Sequence, residues 1–292
     1  MARGIDHVVH AVHDLDAAAA FYRSLGFQVG ARNTHAPSWG TQNHIVQLDG
    51  SFIELLTIAD ASQIAPHGPR HFSFGVHNRD ALGRSEGLSM LVLESRDAQA
   101  DAQEFRQAGI GDFDVFDFER EGRRPDGTAI KVAFSLAFAS DPAAPDIGFF
   151  TCRHRFPENF WNPEFQVHPN TAACVSGVVL VADRPSDHLR FLASFAGGEI
   201  VASTDGFSQT TPRGDVQMVT PESFERLFDQ TPADTGRGPR LAALRIAVGN
   251  WDAARTALHG SNLSPREYLG KLIVGPETAM GATLAFEPLR TA

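Results

Sequence analysis

Two polar side chains each interrupt an otherwise apolar strand face. His7 alternates with Ile5 and Val9 in one apolar stretch, and Glu54 alternates with apolar residues in another. A carboxylate buried among apolar neighbours is costly in free energy unless a cation accompanies it. The pair therefore predicts either a cation site or direct hydrogen bonds between the imidazole, the carboxylate and a ligand.

Further side chains could contact a ligand beside this pair. We expect Asn43 and His44 to point into the same cavity, although polar residues are also common at the start of a strand. Trp39 lies in a nearby loop, where a tryptophan either walls a ligand pocket or packs in a core. The other histidines are expected to be structural or solvated: His10 on the opposite strand face, and His35, His67, His71 and His77 in loops.

An aromatic segment near the middle of the chain is a second feature with two interpretations. Residues 156–163 contain three aromatic side chains, too many for a free linker. The segment therefore packs against sheets. It forms a domain interface, or it covers a cavity with Phe160 or Trp161.

The elements that must position these residues recur four times in the order strand, helix, three strands. In the first copy Asp14 caps a helix that Gly26 ends, and Asp49-Gly50 forms a hairpin turn. Its strands are predicted at residues 4–12, 27–32, 42–48 and 51–58. The later copies have strands predicted at 87–94, 113–119, 129–138 and 147–152, at 175–181, 199–203 and 215–220, and at 241–248, 272–274 and 283–286.

This order predicts an α+β fold of tandem βαβββ modules, four in number and in two pairs. A proline-rich connection over residues 153–172 separates the second copy from the third. We expect an N-terminal domain over residues 1–165 and a C-terminal domain over 172–292. Their modules span residues 1–60 and 85–155, and then 173–222 and 240–292.

Composition narrows the range of partners. The 292 residues carry a formal net charge of -10, which argues against nucleic acid or an anionic membrane as a partner. With no secretory signal, no apolar run of spanning length and only two cysteines, the chain is expected to be cytoplasmic. A small-molecule substrate is the expected partner, and a homodimer is compatible with the tandem modules but not required by them.

The first module resembles the vicinal oxygen chelate superfamily, which includes glyoxalase I, extradiol dioxygenases and bleomycin-resistance proteins. The resemblance is specific over residues 1–60, and 39–43 are similar to a glyoxalase-like branch of uncharacterised bacterial proteins. The motifs that carry it are Asp6-His7-Val8-Val9, Asp14-Leu15-Asp16, Phe21-Tyr22-Arg23-Ser24-Leu25-Gly26-Phe27, Trp39-Gly40-Thr41-Gln42-Asn43 and Phe52-Ile53-Glu54-Leu55-Leu56.

The resemblance implies that the modules pair into half-barrel domains around a cavity, two in this chain. It also implies a divalent metal held by the first and fourth strands of paired modules. His7 and Glu54 match the two family positions in the first module, but Met90 stands where the second module should carry a histidine. The nearest substitute is His154, which would complete a facial triad suited to iron, manganese, nickel or zinc. Glu287 falls roughly where Glu54 falls, but in the last module, and is expected to be a surface group, with the C-terminal pair a structural or regulatory copy.

Two functions follow from this resemblance. The first is a glyoxalase-like metal-dependent enzyme acting on a small molecule with neighbouring oxygens. It would be either a lyase or isomerase like lactoylglutathione lyase, with His7 and Glu54 as catalytic residues, or an extradiol-type dioxygenase. The alternative is a metal-free protein of the bleomycin-resistance type, which sequesters a hydrophobic compound against Trp39.

Overall fold

The computed structural model describes residues 2–123, 127–261, 263 and 265–289, and two eight-stranded sheets lie within them. The domain ends predicted at residues 1 and 292 fall outside the described residues. The first sheet contains β1 (Ile5–Ala11), β2 (Asn33–Thr34), β3 (Thr41–Leu48), β4 (Ser51–Ile58), β5 (Gly87–Glu94), β6 (Phe116–Arg123), β7 (Ala129–Ala139) and β8 (Gly148–His154). The second sheet contains β9 (Ala172–Val181), β10 (Ile200–Ser203), β11 (Gly206–Thr210), β12 (Asp215–Val219), β13 (Arg240–Val248), β14 (Arg266–Tyr268), β15 (Lys271–Val274) and β16 (Thr283–Pro288).

Helices connect the strands within each module and between modules. The α-helices are α1 (Leu15–Ser24), α2 (Phe74–Leu82), α3 (Ala98–Ala108), α4 (Pro157–Phe160), α5 (Leu189–Ala196), α6 (Pro221–Phe228) and α7 (Trp251–Gly260). Short 3-10 helices span Pro37–Trp39, Ala61–Gln63, Pro163–Gln166 and Pro185–His188. None of the helices among the described residues is both long and apolar enough to cross a membrane.

The two sheets share one topology. The first has the order β2-β3-β4-β1-β5-β8-β7-β6, and the second the order β10-β11-β12-β9-β13-β16-β15-β14. In each, the first strand of a module is parallel to its fourth strand, and the first strands of paired modules run antiparallel at the centre. The α+β fold of paired βαβββ modules predicted from the sequence is confirmed.

The differences from the predicted elements lie at sheet edges and between modules. Residues 27–32 are not a strand, because the Gln28 amide donates to His168 Nδ1 instead of entering a ladder. The inner strand β11, the edge strand β14 and the helices α2 and α6 were not predicted from the sequence. Both helices begin at a side-chain cap, Ser73 for α2 and Thr220 for α6, which is the signal that was overlooked.

One core joins the two halves of the molecule. It combines the helix-facing sides of both sheets with the apolar faces of α1, α3, α5 and α7. Phe105 and Phe195, from α3 and α5, have ring centroids 5.7 Å apart, and Phe27 lies 5.8 Å from Phe286. The opposite, concave side of each sheet is therefore the side left for a cavity.

The concave side of the second sheet is closed by the chain itself. Phe224 and Phe228 of α6 pack onto it. Beside them Arg245 binds Asp215 and Glu287, with N···O distances of 2.6 and 2.8 Å. Burial opposes the charge of Arg245, but the two carboxylates raise its pKa above the ordinary value. Glu287 was expected at the surface, which is wrong: its side chain is only 13% exposed, because it neutralises Arg245.

Replacing Arg245 by Met should destabilise the protein by about 3 kcal/mol, because Asp215 and Glu287 would be left as uncompensated, largely buried carboxylates. Urea unfolding at neutral pH measures the change. Arg184→Met is the control, since the Arg184 side chain is 81% exposed in its ion pair with Asp187 and should contribute less than about 1 kcal/mol. Equal effects of the two substitutions would contradict the prediction.

Candidate functional site

A β-bulge in the first strand creates the site. The pairing of β1 with β5 shifts between Ile5 and His7, so that Asp6 is an extra residue in the ladder. Ile5 consequently packs in the helix-side core and not on the face of His7, contrary to the expectation from strict alternation. The bulge allows two consecutive polar side chains, Asp6 and His7, to reach the same side of the sheet.

Asp6 links two imidazoles. Its carboxylate accepts from His7 Nδ1 at 2.6 Å and from His154 Nε2 at 3.0 Å. Burial alone would raise the pKa of the Asp6 carboxyl, but His154 and His7 together hold that pKa well below its usual range. Because His7 Nδ1 donates to Asp6, the lone pair of a neutral His7 is on Nε2. The His7 ring is held in this orientation by stacking on Phe52, with centroids 4.1 Å apart.

His7 Nε2 faces the carboxylate of Glu54. The two groups lie 3.7 Å apart, measured from Nε2 to Oε2, and Glu54 is 6% exposed. The other carboxylate oxygen, Oε1, accepts from Asn43 Nδ2 at 2.6 Å and lies 3.6 Å from His35 Nε2. The sequence-predicted residues His7, Glu54 and Asn43 are thus brought together, with His35 added to them.

His35 is neutral in this arrangement. It lies 2.8 Å from Thr41 Oγ1 through Nδ1 and 3.1 Å from Asn43 Nδ2 through Nε2, so Nδ1 is the donor and Nε2 the acceptor. Burial lowers the pKa of His35 below its ordinary value, although Glu54 acts in the opposite direction. His35 was expected to be solvated, which is wrong: its side chain is only 9% exposed.

These polar groups line a small aromatic cavity, here called the chamber, of about 70 Å³. It opens towards a larger cavity of about 700 Å³, here called the vestibule, which is lined by Gln47, Trp161 and residues 28–31. The two cavities share Asn33, Ile45, Arg120 and Phe160. The rings of the chamber wall are those of Trp39, Phe52, Phe74, Phe118, Phe134, Phe150 and Phe160.

Trp39 reaches the chamber through a close backbone approach. Gly75 at the start of α2 has no Cβ, and a Cβ there would lie 2.2 Å from the carbonyl oxygen of Trp39. The absent side chain lets Trp39 stack on Phe74, with centroids 4.4 Å apart, and on Phe118 at 5.5 Å. The sequence left open whether Trp39 walls a pocket or packs in a core. In the structure Trp39 does both, because it lines the chamber and packs in a hydrophobic cluster.

The aromatic connector lies on the first sheet. The Gln47 side chain donates to the Phe160 carbonyl at 2.8 Å and accepts from the Asn162 amide at 3.1 Å. Phe160 covers the chamber, whereas Trp161 borders the vestibule and stacks on His154, with centroids 5.3 Å apart.

Three sequence-predicted residues do not line the chamber: Trp161, which borders the vestibule, His154 and His44. His154 bonds to Asp6 behind His7, and its Nδ1 is buried without a hydrogen-bond partner among the described residues. His44 lies on the opposite side of β3 from Asn43, because neighbouring strand residues alternate, and its Nδ1 donates to the Gly30 carbonyl. The expectation that His44 and Asn43 point into one cavity is therefore wrong.

Four residues in or beside the chamber escaped the sequence analysis: Asp6, Arg120, Phe118 and His35. Asp6 required knowledge of the bulge. Arg120 and Phe118 lie on an edge hairpin whose facing could not be assigned from the chain alone. For His35 a signal existed. Asn33 pairs with Asn43 across β2 and β3, and His35 follows Asn33 by two residues, so both polar residues lie beside β3.

Besides His7 and Glu54, a second group in this region could hold a metal ion. Asp6, Cys152 and His154 have ligand atoms within 4.8 Å of one another. Burial raises the pKa of the Cys152 thiol well above its ordinary value, so the thiol stays protonated and is a poor ligand there. Asp6 is also already engaged by two imidazoles.

The paired βαβββ sheets define a protein of the vicinal oxygen chelate superfamily. Residues 5–195 match the family model described as glyoxalase-like domain, which is more than half of the chain. The chain belongs to this family.

Solved structures with the same fold are distant in sequence. A hypothetical protein from Staphylococcus aureus has a TM-score of 0.68 at 13% identity, covering 98% of this chain and 100% of its own. A mutant of 4-hydroxymandelate synthase from Streptomyces coelicolor has a TM-score of 0.51 at 12% identity, covering 100% of this chain and 94% of its own. None of the curated proteins is similar enough in sequence to count as a match.

Replacing Asp6 by Asn should make stability less sensitive to acid. A carboxyl whose pKa is lowered in the folded protein stabilises the fold above its unfolded-state pKa, and this contribution disappears as the pH falls through the folded-state pKa. The difference in free energy of unfolding between wild type and Asp6→Asn should therefore shrink from about pH 5 downwards. Urea titrations at several pH values measure it, and a difference independent of pH would contradict the assignment.

Proposed function

We propose that this protein is a glyoxalase-like metal-dependent enzyme that acts on a small molecule with two neighbouring oxygens. The observation that carries the proposal is the approach of His7 Nε2 to Glu54 Oε2 at 3.7 Å. With a neutral His7 whose Nδ1 donates to Asp6, both facing atoms are acceptors. Two acceptors that face each other inside an apolar chamber favour a cation between or beside them.

The donor chemistry fits a divalent metal. A neutral imidazole nitrogen and a carboxylate oxygen are ligands for iron, manganese, nickel and zinc, and Asp6 orients the imidazole from behind. When bound, such a cation would act as a Lewis acid towards two adjacent substrate oxygens. His154, the third ligand expected from the sequence, is assigned here to holding Asp6, which leaves coordination positions to the substrate.

The residues around Glu54 then have separate roles. Asn43 donates to Oε1 and fixes the plane of the carboxylate, and His35 accepts from the same amide. Oε2 is left as a ligand for the cation, and it would take a proton from a substrate carbon or oxygen and return it, as lyase or isomerase chemistry requires, only when it is not coordinating. Phe52, Phe160 and the other rings exclude water, while Trp39 contacts the apolar part of the substrate and Trp161 borders its entry.

A metal-free binding protein is the second candidate. It is favoured by Met90 and Phe150, which pack with other apolar side chains on the concave side of the second module, where a complete set would have ligands. In that case a proton on His7 would compensate Glu54, and the chamber would only sequester an apolar compound.

Metal content distinguishes the two functions. Protein purified without chelator, and the same protein after incubation with Fe(II), Mn, Ni or Zn, should contain bound metal by elemental analysis. His7→Ala and Glu54→Gln should each lose it, because each removes one ligand. His44→Gln is the matched control, since it alters an imidazole on a neighbouring strand that faces away from the chamber.

Metal retained at the normal level by His7→Ala or Glu54→Gln would overturn the ligand assignment. Wild-type protein without metal after all four incubations would favour the binding protein. Circular dichroism spectra that match the wild type are required of each variant, so that loss of metal is not loss of fold.

Replacing Trp39 by Ala tests the wall of the chamber. If the protein only binds an apolar compound, Trp39→Ala should lower the affinity for a fluorescent hydrophobic probe roughly tenfold or more, because an aromatic contact surface is lost. The affinity of wild type should then be the same with and without chelator. Loss of probe binding after chelation would exclude the metal-free function.

A further inference from the structure

Arg120 occupies the neck between the chamber and the vestibule. It is one of the residues that line both cavities. On β6 it alternates with Phe118, whose ring lies 5.5 Å from that of Trp39, so the guanidinium continues an aromatic stripe.

Among the described residues, the groups that surround Arg120 do not neutralise its positive charge. Within the described ranges, no carboxylate comes within 4.0 Å of its guanidinium. Its strand neighbour Glu119 points to the other face of the hairpin, where it pairs with Lys131 and Arg155 at 2.8 and 3.0 Å. Partial burial lowers the pKa of Arg120, as expected for a cation that has lost water without gaining an anion.

The walls beside this cation favour a flat ligand. The rings of Phe118 and Phe134 are within 11° of parallel, and those of Trp39 and Phe118 within 22°. Planar groups lie well against parallel rings, and an apolar body there avoids the cost of burying polar atoms. Glu54, at the inner end, carries the opposite charge to Arg120, so a ligand is oriented with an anionic group at the neck.

We propose that the chamber binds a planar apolar carboxylate, with its acid group on Arg120 at the neck and its flat body among the aromatic rings. This inference rests on the proposed function in placing the substrate in the same chamber, with its reacting end towards Glu54. Arginine suits the role because its planar guanidinium can donate two parallel hydrogen bonds to one carboxylate.

Binding of matched probes to metal-stripped protein tests the proposal. The probes are 3-phenylpropanoate, its neutral amide, and 3-cyclohexylpropanoate, which has the acid without the flat ring. By isothermal titration calorimetry, wild type should bind 3-phenylpropanoate roughly 10- to 100-fold more tightly than the amide, since a charged hydrogen bond is involved. It should also prefer 3-phenylpropanoate over the cyclohexyl acid.

Variants assign the preference to Arg120. Arg120→Met should bind 3-phenylpropanoate no better than the amide, whereas Arg120→Lys should keep a reduced preference for the acid. Lys131→Met is the matched control, because it removes a positive charge from the same hairpin on its outer face and should leave the preference unchanged.

The proposal would be overturned by equal binding of acid and amide to wild type, by full acid preference in Arg120→Met, or by no binding of 3-phenylpropanoate at millimolar concentration. Because the metal is stripped in all arms, these outcomes are independent of metal content. An acid preference lost in Arg120→Met by a protein that never takes up metal would support the anion site and overturn the metal-dependent enzyme. Normal metal uptake without any acid preference would support the metal-dependent enzyme and overturn the anion site.

Discussion

A carboxylate buried in an aromatic chamber is the constraint on which the site depends. An unpaired carboxylate is costly there. In their neutral forms the two imidazoles beside Glu54 present lone pairs to it, because Asp6 and Thr41 take their Nδ1 hydrogens. By fixing which nitrogen of His7 faces Glu54, the bulge that admits Asp6 into β1 orients the imidazole on which the proposed cation site rests.

In the second half of the chain, buried carboxylates are compensated in a different way. Gly177 takes the place of His7 in the strand register, opposite Asp215, as His7 is opposite Phe52. The space above Gly177 is filled by Arg245, whose Nη1 would lie 3.0 Å from a Cβ at that position. There the chain provides its own cation, and α6 closes the sheet with phenylalanine rings. The position that the chamber occupies in the first sheet is therefore filled by protein in the second.

Most of the fold could be predicted because its signals are local. Asp14 caps its helix as expected, and the predicted strands at 51–58 and 87–94 have the bounds found in the structure. Strands β11 and β14 were harder, because they have little apolar alternation and are stabilised by pairing with neighbouring strands. Of the site, His7, Glu54 and Asn43 were found because each is polar on an apolar strand face.

The sequence by itself determined the order of modules and identified His7 and Glu54 as polar residues on apolar strand faces, because strand periodicity assigns side chains to faces. That the two residues belong to one site followed from the resemblance to the vicinal oxygen chelate superfamily. Only the tertiary structure decided the positions of Asp6, His35, Arg120 and His154. One bulge reverses the facing of Ile5 and adds Asp6 to the network. Arg120 and His35 reach the chamber only because distant edge strands curl over it. These placements depend on contacts between segments far apart in the chain, and local patterns carry no information about such contacts.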